Sequence, residues 1–188
     1  MAFESTLIQP LDPIGRYTAV DNWLDDSGLV HWSFRPFWII GDLRIMHNWM
    51  NSHQALCNRQ VDRDQRPLIF HYMQLLQAPT QQPLVLERNG IVVGQFDLVH
   101  QLLNSSGVNI HFLFPGETNS EKYWQTGLGQ LVKLLTLAIP GVPIYIDIPR
   151  NCFALHDLVE QIGFSFQCDY HLMGQEMRVY VLNAGLNQ

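Results

Sequence analysis

The chain has 188 residues, 47% hydrophobic and 15% charged, with a formal net charge of −6 at pH 7, which excludes a largely disordered chain. No run of Lys or Arg occurs, so the acidic balance also excludes a protein that grips nucleic acid or a membrane through a basic stripe. No apolar stretch could span a bilayer, no secretory leader is visible, and Cys57, Cys152 and Cys168 suit buried thiols better than disulfides or zinc; a soluble cytoplasmic protein is expected.

Residues 1–30 lack sustained periodicity and hold Pro10, Pro13, Gly15 and Gly28, which predicts an irregular N-terminal arm with a short strand near Tyr17–Val20. Residues 31–188 are expected to form one α/β (α+β) domain. His31–Trp32–Ser33–Phe34–Arg35–Pro36 predicts a strand that stops at its proline. Asp42 then caps a predicted helix reaching about Leu56, with Leu43, Met46, Trp49, Met50 and Leu56 at helical spacing. A second helix is expected from Arg66 to Gln77, burying Ile69, Tyr72, Met73 and Leu76.

From Pro83 the pattern turns from helical to alternating. Asn89–Gly90, between Leu84–Val85–Leu86 and Ile91–Val92–Val93, predicts a tight hairpin whose second strand continues to Leu98. Val108 to Phe114 alternates strictly, with Val108, Ile110, Phe112 and Phe114 on one face and Asn109, His111 and Leu113 on the other. A loop ending in Gly127–Leu128–Gly129 leads to a helix from Leu128 to Ile139, closed by Pro140–Gly141. Ile144–Ile148 predicts a strand, Asn151–Ile162 a helix, and Phe164–Tyr170 with Met177–Leu182 a final β pair joined through Gly174.

Two strand-to-helix units in succession point to a nucleotide-containing cofactor, because free N–H groups and the helix dipole converge at each helix N-terminus. In the first unit, N–H groups from Gln125 to Gln130 would grip a pyrophosphate beside Gly127 and Gly129; an ordinary loop and helix start is the competing reading. His111 projects away from the Val108 row, and Asp147 away from the Ile144/Ile146/Ile148 row. Neighbouring parallel strands would bring both near their carboxyl ends, where ligands sit. A His and an Asp there suit a general base and its orienting partner; a solvated histidine and a turn-capping aspartate are the alternatives. The other histidines show no metal-ligand spacing. Cys152, at a helix start, reads better as a small buried residue than as a nucleophile. Trp32, Trp38, Trp49 and Trp124 read as core or pocket wall, since no basic residues interleave with them.

Four stretches carry a family resemblance: Phe34–Arg35–Pro36 with Asp42–Leu43 and His47–Asn48–Trp49–Met50–Asn51; Asn109 to Phe114; Thr126–Gly127–Leu128–Gly129; and Asn151 to Gly163–Phe164. Together, over about Trp32 to Leu182, they resemble the GNAT-superfamily acyl-CoA N-acyltransferases. They are most similar to the siderophore-biosynthesis branch, the N-hydroxylysine acetyltransferases and mycobactin-type lysine acyltransferases, in which a His-x-Trp-Met-Asn lies on the first helix. The chain departs from the pattern in several places: the insertion Gly116 to Tyr123 is longer than usual, and Asp147 sits about one residue off the branch's usual acid when counted back from Asn151. Trp124 stands where the pyrophosphate loop commonly has Gln or Arg, and Asp157–Leu158–Val159–Glu160 lacks the tyrosine that many members carry on the last helix.

The resemblance implies a GNAT fold, a mixed central sheet of about six to seven strands with a splayed parallel pair, flanked by about four helices. It implies acetyl-CoA or another acyl-CoA as donor, no metal, and direct transfer to an amine or hydroxylamine of a small molecule, in siderophore biosynthesis. His111 and Asp147 would be catalytic. Phe112, Leu113, Phe114, Gln125, Thr126, Gly127, Leu128, Gly129, Gln130, Asn151, Phe153 and Ala154 would meet the cofactor, and His47, Trp49 and Asn51 the acceptor. No nucleic-acid or membrane partner is expected, and the protein would be a monomer or homodimer. Two other readings stay open: a same-fold enzyme whose acceptor is a protein or antibiotic amine, and a relative that binds acyl-CoA without turnover.

Overall fold

The computed structural model describes residues 20–51, 66–101, 107–115, 120–172 and 174–183. In chain order the elements are β1 (Asp21–Leu24), β2 (His31–Pro36), α1 (Ile39–Met50), α2 (Arg66–Gln77), β3 (Gln81–Arg88), β4 (Ile91–Gln101) and β5 (Gly107–Leu113). There follow α3 (Ser120–Ala138), β6 (Ile144–Pro149), α4 (Phe153–Ile162), β7 (Ser165–Leu172) and β8 (Gln175–Leu182). The eight strands form one open sheet in the order β1-β2-β3-β4-β5-β6-β8-β7, with β5 and β6 parallel. That is one or two strands more than the sequence predicts; β1 is the addition, and Val20, assigned to an earlier strand, is a bend before it. Tyr17, Thr18 and Ala19 of that predicted strand lie outside the described residues.

Contacts divide the chain into two compact units. One comprises Met1–Asp97 and Phe112–Trp124, the other Leu98–His111 and Gln125–Gln188.

In the first unit, β2 pairs antiparallel with β3, from Trp32↔Arg88 to Pro36↔Leu84. Asn89 (φ 50°) and Gly90 (φ 77°) both take the left-handed conformation that a two-residue hairpin requires, so the predicted turn forms where expected. Helices α1 and α2 bury Phe37, Leu43, Met46, Leu68, Tyr72 and Leu75 against Val85 and Leu113, with Phe37 stacked on Tyr72 at 4.1 Å between centroids. Each such side chain contributes about 1.5–3 kcal/mol by leaving water. A second aromatic series runs Phe34, Phe96, Phe114 and Trp124, each 5.4–5.7 Å from the next.

Both helices differ in detail from their predicted forms. Helix α1 begins at Ile39, not after Asp42, and Asp42 acts from inside the first turn: its carboxylate accepts the N–H of Trp38 at 2.8 Å. The N-cap is therefore Trp38, which makes no side-chain capping bond, and the expected cap Asp42 instead places its negative charge in the first turn. The helix ends at Met50, and the expected continuation beyond Asn51 to Leu56 lies outside the described residues. In α2 the buried residues are Leu68, Tyr72 and Leu75, while Met73 and Leu76 are exposed. Apolar residues surround this helix on more than one side, so spacing alone could not choose the inner face.

In the second unit, β6 pairs antiparallel with β8 from Ile144↔Leu182 to Pro149↔Met177, and β7 is the outer strand. Helix α4 starts two residues later than predicted, with Cys152 at its N-cap. It ends on Gly163 (φ 108°), whose N–H donates to Glu160 O while that of Phe164 donates to Val159 O. Leu155, Leu158 and Val159 form its buried face.

Candidate functional site

The parallel ladder between β5 and β6 is short: Val108↔Ile144, Asn109↔Tyr145 and Ile110↔Ile146. Both strands run past it, β5 with His111 and β6 with Asp147, while Asp147 to Pro149 stay paired with β8 on their other side. The two predicted catalytic residues therefore stand one step beyond the last paired residues. Among the described residues, the ladder pairs no β6 residue beyond Ile146 with β5.

On β6, Ile144, Ile146 and Ile148 are buried, and Tyr145 and Asp147 point to the opposite face half-buried, as the alternation predicts. Val179 of β8 lies directly across from Asp147. Asn109, Tyr145, Asp147, Gln167, Cys168, Tyr170 and Val179 line an open cavity of about 370 Å³ on this face. Asn109 donates from Nδ2 to Asp147 Oδ2 at 2.8 Å. His111 is half-buried on the same side of β5 as Asn109, and it is not among the cavity-lining residues. The position of Tyr145 depends on Gly107: a Cβ there would lie 2.4 Å from Tyr145 Cε2, so the ring rests on bare backbone.

The expected phosphate turn takes another form. Helix α3 starts at Ser120, so Gly127 and Gly129 fall within it rather than at its end. The free N–H groups of a helix belong to its first four residues. Those of Gln125, Thr126, Gly127, Leu128, Gly129 and Gln130 thus sit in the helix's own ladder, and a loop at these positions is not what forms. The sequence did hold the signal: Trp124, Leu128, Leu131 and Leu135, all buried, recur at helical spacing four residues upstream of the predicted start.

Phe112, Leu113 and Phe114 are buried in the first unit, so only their backbone could meet a cofactor. Asn151 sits in the turn before α4, and Phe153 and Ala154 open that helix with exposed side chains. The turn is held from two sides. Arg150 N–H donates to Glu176 O at 2.9 Å, and His156 Nε2 lies 3.2 Å from Arg150 O. A carbonyl only accepts, so Nε2 carries the proton and Tyr180 O–H donates to Nδ1 at 3.0 Å. This buried His156–Tyr180 pair was not singled out from the sequence; residues 24 apart with no common motif leave no local signal. Burial raises the Tyr180 phenol above its ordinary 10.0. Cys152 is half-buried, its thiol raised above 9.0 by burial, the opposite of an activated thiolate.

His47, Trp49 and Asn51 belong to α1 and its C-cap in the first unit. His47 and Trp49 are half-buried, and Asn51 Nδ2 donates to His47 O at 2.9 Å, closing the helix end.

No family model and no curated protein matches the chain. Solved structures do. A chimera of the spermidine N-acetyltransferase SpeG from Vibrio cholerae and hSSAT aligns with TM-score 0.70 at 15% identity, covering 84% of this chain and 99% of that one. An uncharacterised Bacillus halodurans protein aligns with TM-score 0.68 at 15% identity over 87% and 89%. The Vibrio cholerae spermidine N-acetyltransferase in complex with CoA and spermine aligns with TM-score 0.67 at 15% identity over 81% and 95%. The fold is the GNAT fold. The GNAT features seen here are the mixed sheet, the parallel pair that parts after Ile110↔Ile146, and the four helices. Among the described residues no helix is long and apolar enough to cross a membrane.

Proposed function

We propose that this GNAT-fold chain is an acyl-CoA-dependent N-acyltransferase, moving an acetyl or other acyl group from the CoA thioester to an amine or hydroxylamine of a small molecule. The observation that most supports this reading is the early end of the β5–β6 ladder, with His111 and Asp147 as the next residues of the two strands. In the reaction the acceptor nitrogen attacks the thioester carbonyl, the C–S bond breaks, and the nitrogen's proton is lost. His111 suits the role of base because neutral imidazole takes a proton near pH 7. Asp147 suits the role of orienting the imidazole ring. Backbone N–H groups where the two strands part suit the developing oxyanion. The polyamine acetyltransferases that share the fold support an amine acceptor. The likeness of His47–Asn48–Trp49–Met50–Asn51 to the siderophore branch supports an N-hydroxylysine or lysine-type acceptor, with His47, Trp49 and Asn51 on the acceptor side.

The test is thiol release from acetyl-, succinyl- and long-chain acyl-CoA with lysine, N-hydroxylysine and spermidine as acceptors. Acceptor-dependent release supports the reading; absence of release with every pair, from protein that binds CoA, refutes it. A second reading, a GNAT-fold protein that does not turn over acyl-CoA, draws support from the continuous α3 through Gly127 and Gly129.

A further inference from the structure

Among the described residues that line the cavity on the second unit's sheet face there is one carboxylate and no basic side chain. Asn109 is 3% exposed, and its bond to Asp147 fixes how its amide lies. A carboxylate only accepts, so the amide NH₂ faces Asp147 and Asn109 Oδ1 faces away, buried with no partner among the described residues. The donor end holds the side chain in place because it meets a charge. Asp147 Oδ2 is thereby occupied. Its Oδ1 has no protein hydrogen bond among the described residues, in a residue that lines the cavity.

The cation closest in register turns elsewhere. Arg178 lies across from Ile148, hence on the opposite sheet face, where it pairs with Asp169 at 3.4 Å and covers the Phe166 ring. Tyr145 and Tyr170 wall the cavity, Gln167 adds a polar group, and Val179 an apolar surface. Ring faces attract cations, most strongly where water is thinned out. A divalent ion would need several oxygen or nitrogen ligands, and no group of three His, Cys, Asp or Glu suited to a metal occurs among the described residues. An organic ammonium needs less: one charge, acceptors for its N–H bonds, and apolar walls for its methylenes.

We propose that this cavity seats a protonated amine, with Asp147 as its counter-ion and Asn109 as the positioning residue that holds the carboxylate. The inference deepens the acyltransferase reading, on which its place in a reaction rests, by giving the acceptor a positive charge and a seat. Its test needs no acyl transfer.

The full chain, without CoA, is titrated near neutral pH with 1-pentylamine and with the matched alcohol 1-pentanol, by calorimetry. The amine should bind about tenfold tighter than the alcohol, and Asp147→Asn should abolish that preference. Asn109→Leu should weaken the amine about threefold or more while leaving the alcohol alone, whereas general structural damage would weaken both. Tyr170→Leu, on the outer strand, should weaken the amine severalfold and serves as the deciding variant if Asp147→Asn fails to fold. Equal binding of amine and alcohol, a preference that survives Asp147→Asn, or amine binding unchanged by Tyr170→Leu overturns the proposal. Acetyl-CoA binding is measured on the same samples: CoA binding without an amine preference sinks this proposal alone, and an amine preference without CoA binding sinks the acyltransferase reading alone.

Discussion

Arg35 and Asp42 form a two-pronged ion pair, Nη1 to Oδ2 at 2.6 Å and Nη2 to Oδ1 at 2.7 Å, with side chains only 11% and 3% exposed. Burial alone would lower the Arg35 guanidinium, but its bonds to Asp42 and Glu87 outweigh that and raise it. The pair ties the end of β2 to the first turn of α1, where Asp42 also holds the Trp38 N–H. Removing one partner leaves a buried charge uncompensated, which typically costs about 3–5 kcal/mol. Glu87 still faces Arg35 at 2.6 Å, so Asp42→Ala should fall near the lower end. For a chain of this size that lowers Tm by roughly 6–12 °C. A shift below about 2 °C in a calorimetric melt would contradict this account of α1.

His156 and Tyr180 give a second stability prediction. Among the described residues, Tyr180→Phe deletes the donor to the buried Nδ1 of His156. An orphaned buried acceptor costs about 1–3 kcal/mol, and urea unfolding should show that loss with an unchanged slope. His156 also holds the Arg150 carbonyl, so hydrogen exchange should quicken in the Arg150–Cys152 turn. An unaltered midpoint would mean that water replaces the hydroxyl.

Cys152 carries the pH prediction. Burial raises its thiol above 9.0, the unfolded reference. Below 9.0 both states keep the proton and the group adds no pH dependence. Above it the unfolded chain loses the proton first, so this contribution to stability falls as pH rises toward the folded value. The same shift leaves little thiolate at neutral pH. Iodoacetamide near neutral pH should therefore label exposed Cys168 before Cys152, as read by peptide mass spectrometry. Equal labelling would contradict the burial.

His111→Ala should lower turnover about 10²–10⁴-fold while acyl-CoA affinity changes no more than a few-fold. The separation matters, because His111 is assigned to proton transfer and not to holding the donor. Unchanged turnover would remove it from the mechanism.

Much of the fold could be read in the chain because its signals are local. Asn89–Gly90 sets a hairpin by its own backbone preference, and Gly163 ends α4 in the same way. The start of α3 was missed because two glycines look like a loop, each costing about 1 kcal/mol in a helix relative to alanine. The buried stripe from Trp124 to Leu135 outweighs that cost. His111 and Asp147 could be placed by strand alternation, whereas the Asn109–Asp147 bond could not. It joins residues 38 apart and depends on the β5–β6 register, which no local pattern encodes. The helix-facing side of α2 was likewise undecidable from spacing, since apolar residues surround it.

Titration of the full chain with acetyl-CoA by calorimetry, paired with a thermal melt, tests the central claim most directly. Binding near one to one is expected, and CoA at about a hundred times its dissociation constant should stabilise the chain by about 2.7 kcal/mol, raising Tm by roughly 5–11 °C. No heat of binding and no shift in Tm with acetyl-, succinyl- or long-chain acyl-CoA would contradict it.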